Sequence, residues 1–286
     1  MTRRWFVVAL SAALALSLAL AQEKKYEVEV QKDLAYGSTH ERQKLDLFRP
    51  KGADGVRPGV VLVHGGGWRG GDKAGYGSLA LQLAARGYVA IAVNYRLAPA
   101  NPHPAQLDDV QRAVRWLRHQ AQQYHVDQNR IGSHGGSAGG HLVLFLGSRD
   151  TREKGNDELS GYSSRVQCVV DFFGPSDFMT EPLSAAGAPI VEGFIGKKRD
   201  EAPDAYRDAS PLSFITRNSA PTLMIHGTND TLVPIAQSER VEQAMKKVGA
   251  KVELIRMEGA GHGFQGEAQA QAIKASIDFL DRHLKP

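Results

Sequence analysis

Apolar and polar positions alternate in two different ways along this chain. Near the N-terminus, residues 26–30 and 44–48 switch between apolar and polar side chains, which predicts half-exposed antiparallel edge strands. Further along, four runs are almost continuously apolar: residues 60–63, 88–93, 166–173 and 221–225. Such runs are typical of strands that are buried on both faces of a parallel sheet.

Helical patterns separate these runs. Residues 110–117 carry apolar side chains at i, i+3, i+4 and i+7, as an amphipathic helix does, and residues 235–248 and 270–284 have similar patterns. Alternating strands and helices form right-handed crossovers. We therefore predict an α/β fold in residues 22–286, with a mostly parallel central sheet, antiparallel N-terminal strands and helices on both faces.

One stretch, residues 176–215, interrupts this alternation. It is rich in Pro, Ala, Gly and Asp and contains only scattered phenylalanines. Long connections without secondary structure are uncommon unless they have a role, so we interpret the stretch as a loop-and-helix insertion, a possible lid over a functional site. The alternative is an ordinary long connection.

The first residues have the features of a secretory signal peptide. Arg3 and Arg4 form a basic start, residues 5–18 are apolar, and Ala-Leu-Ala at residues 19–21 forms a small-x-small cleavage site. The alternative is a membrane anchor, but the apolar stretch is shorter than the roughly 20 residues that a spanning helix needs. We expect removal of residues 1–21 and a secreted or periplasmic protein without a stable membrane anchor.

The positive charge of the chain is weak support for a polyanionic partner. The formal net charge is +4, and the predicted leader contributes Arg3 and Arg4 to it. The basic run at residues 197–199 is short, and we interpret it as a solvated loop. The composition therefore favours a protein that binds no nucleic acid. The single cysteine, Cys168, has no partner for an internal disulfide.

The most specific chemical signal is Gly-Gly-Ser-Ala-Gly at residues 135–139. It lies between a β-like stretch at residues 129–132 and a helix-like stretch at residues 140–146, which is the context of a nucleophile elbow. A serine hydroxyl becomes a nucleophile only when a base removes its proton. Ser137 is therefore a candidate nucleophile if the chain supplies the other groups; otherwise it is an ordinary turn residue.

Two downstream residues can complete a catalytic triad with this serine. His262 lies in a glycine-rich loop after the apolar run 251–257, and an imidazole can accept and return a proton near neutral pH. Asp230 follows a strand and a tight turn, and it would hold the imidazole in its Nδ1–H tautomer. Asp171 and Asp177 are alternatives. We favour Asp230 because Asp171 lies within an apolar run and Asp177 is at the start of the insertion.

An upstream glycine-rich segment, His-Gly-Gly-Gly-Trp at residues 64–68, follows the predicted strand 60–63. Consecutive glycines let backbone N–H groups converge on a developing oxyanion, and we expect Gly66, Gly67 and Ala138 to supply these donors. The alternative is a phosphate-binding loop, but the sequence has no G-x-x-x-x-G-K-[ST] pattern here.

Taken together, these motifs resemble α/β-hydrolase carboxylesterases of the hormone-sensitive-lipase-like superfamily, and most closely its bacterial acetyl-xylan and feruloyl esterases. The matching segments span nearly all of the chain after the leader: residues 64–68, 94–99, 135–140, 173–177, 226–230 and 261–264. The resemblance implies an α/β-hydrolase fold and a serine triad that needs no metal or other cofactor. Gly136 stands where lipase-like members usually carry an acidic residue, which favours the acetyl-xylan and feruloyl branch.

We therefore predict a serine carboxylic ester hydrolase that forms an acyl-enzyme. Its partner would be a small-molecule or carbohydrate-linked ester with a short acyl or small aromatic group. Four aromatic residues are candidate walls of the substrate pocket: Trp68, Tyr76, Phe173 and Phe264. The alternatives are a serine peptidase or amidase with the same triad, and a non-catalytic binding module that has kept the fold.

Overall fold

A computed structural model of the protein describes residues 25–151, 157–180 and 184–286. In these residues the strands are β1 Val28–Ala35, β2 Lys44–Pro50, β3 Arg57–Val63, β4 Val89–Val93, β5 Val126–Gly136, β6 Cys168–Phe172, β7 Thr222–Gly227 and β8 Val252–Met257. The α-helices are α1 Gly77–Ala85, α2 Ala105–His119, α3 Ala121–Tyr124, α4 Ala138–Ser148, α5 Ala188–Ile195, α6 Pro203–Asp208, α7 Ala236–Lys247 and α8 Gly266–Leu284.

The strands form one sheet in the order β1-β2-β4-β3-β5-β6-β7-β8. The pairs β1–β2 and β2–β4 are antiparallel, and all pairings from β4 to β8 are parallel. The predicted α/β-hydrolase fold, with a mostly parallel sheet and antiparallel N-terminal strands, is confirmed.

Both faces of the sheet are covered, and β3 shows how this produces a continuous apolar run. Val61 and Val63 belong to the hydrophobic core that includes α2, α4 and α7. Val60 and Leu62 belong to the core on the other face, which includes α1 and α8. Because successive side chains of a strand point to opposite faces, a strand between two helical layers needs apolar residues at every position.

The prediction of a half-exposed edge strand at residues 44–48 is wrong. β2 lies between β1 and β4, and residues 45–48 are all buried. The polar position that produced the alternating pattern is Asp46, whose carboxylate accepts the Asp33 N–H at 2.9 Å and pairs with Lys73 Nζ at 2.8 Å. A buried ion pair therefore produced the same sequence pattern as a solvent-facing position.

The segment 176–215 contains α5, α6 and a 3₁₀ turn at Pro211–Phe214. Phe178 and Phe194 are buried in the core on the α4 side of the sheet, so this segment is anchored to the domain. Residues 181–183 lie outside the described ranges. That the segment acts as a lid stays a prediction.

The predicted leader, residues 1–21, also lies outside the described residues. Among the helices that the structure does describe, none is long and apolar enough to cross a membrane.

Candidate active site

The candidate catalytic segments meet at one edge of the sheet. Ser137 follows the end of β5, and residues 64–68 follow the end of β3. Asp230 lies three residues beyond β7, and His262 lies in the loop between β8 and α8. Because these strands are parallel, their carboxyl ends lie together, and binding sites of open α/β sheets form there.

Ser137 occupies a sharp turn between β5 and α4. Its φ of 55° and ψ of −122° are unusual for a residue with a side chain. The Ser137 N–H donates to the Phe172 carbonyl at 2.8 Å, and its own carbonyl accepts the His141 N–H at 3.0 Å, which starts α4. These two bonds hold the strained turn, and the hydroxyl lies at a cavity.

Glycines allow the backbones around this turn to approach closely. A Cβ on Gly139 would lie 2.1 Å from the Val63 carbonyl oxygen, and one on Gly135 would lie 2.3 Å from the Gly139 carbonyl oxygen. A Cβ on Gly136 would lie 3.5 Å from the Tyr76 hydroxyl, which is an ordinary contact. The turn therefore requires glycine at residues 135 and 139 but has room for a side chain at residue 136.

This difference gives a matched pair of variants. Gly139→Ala should lower the free energy of unfolding by about 1–3 kcal/mol, because either α4 or β3 must shift to admit the methyl group. Gly136→Ala should leave the melting temperature nearly unchanged. Thermal unfolding followed by circular dichroism measures both, and equal melting temperatures for the two variants would contradict this account of the turn.

His262 bridges Ser137 and Asp230. Its Nε2 lies 2.9 Å from Ser137 Oγ, and its Nδ1 lies 2.7 Å from Asp230 Oδ2. Because a carboxylate only accepts hydrogen bonds, Nδ1 carries the proton, and the Nε2 lone pair faces the serine hydroxyl. The structure thus brings together the three predicted triad residues in the arrangement that general-base activation of serine needs.

The environment of Asp230 keeps its carboxylate ionised. Oδ1 accepts the N–H groups of Leu232 at 2.9 Å and Val233 at 2.8 Å, while Oδ2 faces His262 and His226. Burial by itself raises the pKa of Asp230, but the hydrogen bonds from His226, His262 and the Val233 N–H outweigh it and hold the pKa well below its usual range. An ionised Asp230 can stabilise a protonated His262.

His226 is a site residue that the sequence reasoning did not assign. Its Nε2 lies 2.7 Å from the Val233 carbonyl oxygen and 3.3 Å from Asp230 Oδ2, so Nε2 carries the proton. Its Nδ1 accepts the Ser238 hydroxyl at 2.7 Å. The fully buried ring of His226 therefore holds the loop that carries Asp230 in position. The sequence places His226 at the end of β7 but does not show that its ring turns back toward this loop.

The alternative acids, Asp171 and Asp177, do not contact His262. Asp171 is fully buried, which raises its pKa to about 7, and its Oδ1 accepts the Gly174 N–H at 2.9 Å. Asp177 accepts two nearby N–H groups, and its Oδ2 lies 3.6 Å from Arg240. Both carboxylates serve local turns instead of the imidazole.

The expected oxyanion donors surround the serine. Gly66, Gly67 and Ala138 all line the same cavity as Ser137. Within the described ranges, none of their three N–H groups donates a hydrogen bond to another protein group. Gly66 has a φ of 111°, a conformation that favours glycine and lets the loop turn at this point. These free donors can therefore serve a ligand.

Trp68 fixes the end of this loop. Its indole Nε1–H donates to His141 Nδ1 at 3.2 Å, and its ring stacks on Phe194 of α5 with centroids 4.1 Å apart. His141 Nε2–H in turn donates to the Ala209 carbonyl at 2.8 Å. Trp68 does line the cavity, as predicted, but its ring mainly connects the loop to α4 and to the 176–215 segment.

The cavity at Ser137 has a volume of about 520 Å³. Phe173 forms part of its wall as predicted, with its ring centroid 4.7 Å from that of His262. The loops after β6 and β7 and the 176–215 segment supply further walls: Pro175, Gly187, Ile190, Leu232 and Val233. The cavity is therefore mainly apolar around the reactive groups.

Two of the four predicted wall residues are placed elsewhere. Tyr76 lines a separate cavity next to α1 and α8, where its ring meets His134 with centroids 5.5 Å apart. Phe264 packs on Phe172 and Phe173, behind the wall. Neither ring therefore lines the cavity at Ser137.

Known proteins with similar sequences include several esterases. The BD-FAE family model matches residues 45–245, which is most of the chain. Esterase LipC of Mycobacterium tuberculosis is 34% identical over 231 residues, which cover 78% of this chain and 57% of LipC. The chain spans between 57% and 61% of the length of the M. tuberculosis relatives LipC, LipM and LipQ.

Solved structures of similar fold include esterases as well. A truncated carbohydrate esterase from gut microbiota has a TM-score of 0.74 and 26% identity, covering 93% of this chain and 99% of its own. Est2 of Thermogutta terrifontis, with butyrate bound, has a TM-score of 0.76 and 27% identity, covering 93% and 97%. By its family match and its fold, the chain belongs to the BD-FAE family of α/β-hydrolase esterases.

Proposed function

We propose that this protein hydrolyses carboxylic esters through an acyl-enzyme on Ser137. The observation that carries this proposal is the position of His262, which contacts Ser137 Oγ at 2.9 Å and Asp230 Oδ2 at 2.7 Å. This arrangement supplies a nucleophile, a base and a group that orients the base. The free N–H groups beside Ser137 supply the fourth requirement, a site for the oxyanion.

In the first half of the reaction, Ser137 Oγ attacks the ester carbonyl while His262 Nε2 takes the hydroxyl proton. The carbonyl oxygen becomes negatively charged and accepts hydrogen bonds from Gly66, Gly67 and Ala138, each of which is worth about 3 kcal/mol in such sites. His262 then gives its proton to the leaving alcohol as the bond to the alcohol oxygen breaks. The products of this half are the alcohol and an ester on Ser137.

In the second half, water replaces the alcohol. His262 takes a proton from the water as it attacks the acyl carbonyl, and the same N–H groups hold the oxyanion. The proton then returns to Ser137 Oγ as the carboxylic acid leaves. Asp230 stays ionised throughout and stabilises the imidazolium that forms in each half.

The cavity supports small substrates. Its volume of about 520 Å³ and its apolar walls suit a short acyl or small aromatic group. The butyrate found in Est2 and the carbohydrate esterase among the similar structures support a short acyl group and a carbohydrate-linked alcohol, respectively. We propose esters of this kind, acetyl-xylan and feruloyl esters included, as substrates.

A substrate panel tests the proposed function. We expect kcat/KM to be highest for p-nitrophenyl acetate or butyrate, lower for long-chain p-nitrophenyl esters, and far lower for aminoacyl-p-nitroanilides. Acetylated xylan and methyl ferulate extend the panel to the proposed natural ester classes. Anilide hydrolysis as fast as ester hydrolysis would indicate a serine peptidase or amidase. No hydrolysis of any panel member would indicate a binding module.

A further inference from the structure

We propose that Arg69 binds a carboxylate on the substrate, so that among short acyl and small aromatic esters this enzyme prefers those that carry a negative charge near the scissile bond. This inference rests on the proposed esterase function and adds the class of substrate. It concerns a residue that the triad and the oxyanion donors do not use.

Arg69 lies at the rim of the cavity, two residues after Gly67. It lines the same cavity as Ser137, and its side chain is exposed. The position of a Cβ built on Gly67 lies 3.9 Å from both Cγ and Nε of Arg69. The Nε end of the Arg69 guanidinium group is therefore next to Gly67, an expected oxyanion donor. The N–H groups of Arg69 can reach a substrate group that is attached close to the reacting carbonyl.

The charge of Arg69 stands out in its surroundings. Apart from Ser137 and His262, the other lining residues of the cavity are glycines, an alanine, a proline and apolar or aromatic residues. No carboxylate lines the cavity within the described part of the chain. A cation at the entrance of an otherwise apolar cavity attracts an anion and disfavours a cationic substrate.

Arg69 also differs from most other arginines of this protein. Among the described arginines, only Arg69 and Arg217 have no side-chain hydrogen bond or ion pair, whereas the others bind carboxylates or backbone carbonyls. Arg96, for example, binds Asp109 at 2.8 Å. A guanidinium offers N–H donors in a planar fork that matches a carboxylate in a bidentate manner. The guanidinium N–H groups of Arg69 are therefore free to bind a carboxylate of the substrate.

The test compares matched neutral and anionic esters. On the acyl side, mono-p-nitrophenyl succinate is compared with p-nitrophenyl butyrate; on the alcohol side, 4-acetoxybenzoate is compared with its methyl ester. We expect wild type to prefer the anionic member of at least one pair, once uncatalysed hydrolysis is subtracted. Arg69→Gln should lower the anionic-to-neutral ratio of kcat/KM by about tenfold, as for a lost charge-assisted hydrogen bond.

Arg217→Gln is the control, because it removes an equally unpartnered arginine from a loop that does not line the cavity. It should leave the ratio unchanged in both pairs. The pair that responds to Arg69→Gln identifies the side of the ester that carries the carboxylate. An unchanged ratio in both pairs, or an equal loss for neutral and anionic esters, would overturn the inference while esterase activity itself persists. Failure of wild type to hydrolyse any ester would instead refute the proposed function.

Discussion

Replacing Ser137 with alanine is expected to lower kcat for p-nitrophenyl acetate by about 10⁴- to 10⁶-fold, since loss of the nucleophile in a serine triad has effects of this size. Ser137→Ala removes the hydroxyl oxygen that would form the proposed acyl-enzyme, while the free N–H groups and the cavity remain to bind substrate. The fold should persist, because the turn is held by the backbone bonds of residue 137 to Phe172 and His141. Steady-state kinetics and a melting curve measure both effects.

Ser133→Ala is the matched control. Ser133 lies in β5, the strand that ends just before Ser137; it is fully buried, and its hydroxyl has no hydrogen-bond partner among the described residues. Removing this hydroxyl should leave kcat close to that of wild type. If Ser137→Ala retained activity within tenfold of wild type, the nucleophile would have to be another group.

The second large effect is expected for Asp230→Asn, with kcat reduced by about 10⁴-fold. The asparagine oxygen would still accept the hydrogen bonds from the Leu232 and Val233 N–H groups that Asp230 Oδ1 accepts now. Its NH₂ group would then face His262 Nδ1 and favour the tautomer with the proton on Nε2. That tautomer donates to Ser137 Oγ and cannot take its proton. The NH₂ group would also oppose the proton on His226 Nε2, so some loss of stability should accompany the loss of activity.

Asp177→Asn distinguishes the two carboxylates. The amide oxygen of asparagine can still accept the backbone N–H groups that Asp177 Oδ1 binds now, so the turn at this position should be kept. Its kcat should stay within a few-fold of wild type. A loss of kcat in Asp177→Asn as large as the loss in Asp230→Asn would contradict the assignment of Asp230 as the acid that orients His262.

The order of the main elements and the positions of the triad were predictable because each depends on a local pattern. Parallel strands buried on both faces have continuous apolar runs, and the elbow has glycines at positions where a Cβ would meet backbone oxygens, as at Gly139. Parallel connectivity then places the loops after β5, β7 and β8 at one edge. The contacts of Ser137, His262 and Asp230 follow from these features.

What the sequence did not predict depends on the direction of single side chains. Tyr76 follows the glycine-rich loop, yet its ring turns toward α8 and away from the cavity at Ser137. His141 and His226 resemble ordinary core histidines in sequence, but in the structure their hydrogen bonds connect them to the site. Asp46 led to the opposite error: its polar side chain predicted a solvent-facing position, but in the structure it is buried and paired with Lys73. Tertiary contacts decide each of these cases.

The most direct test of the central claim is covalent labelling with a fluorophosphonate, followed by peptide mass spectrometry. We predict one phosphonyl group per chain, located on Ser137, with esterase activity lost in proportion to labelling. Ser137→Ala should not be labelled, and Ser133→Ala should be labelled like wild type. Modification of a different residue in parallel with inactivation, or full ester hydrolysis by a protein that the reagent does not label, would contradict an acyl-enzyme on Ser137.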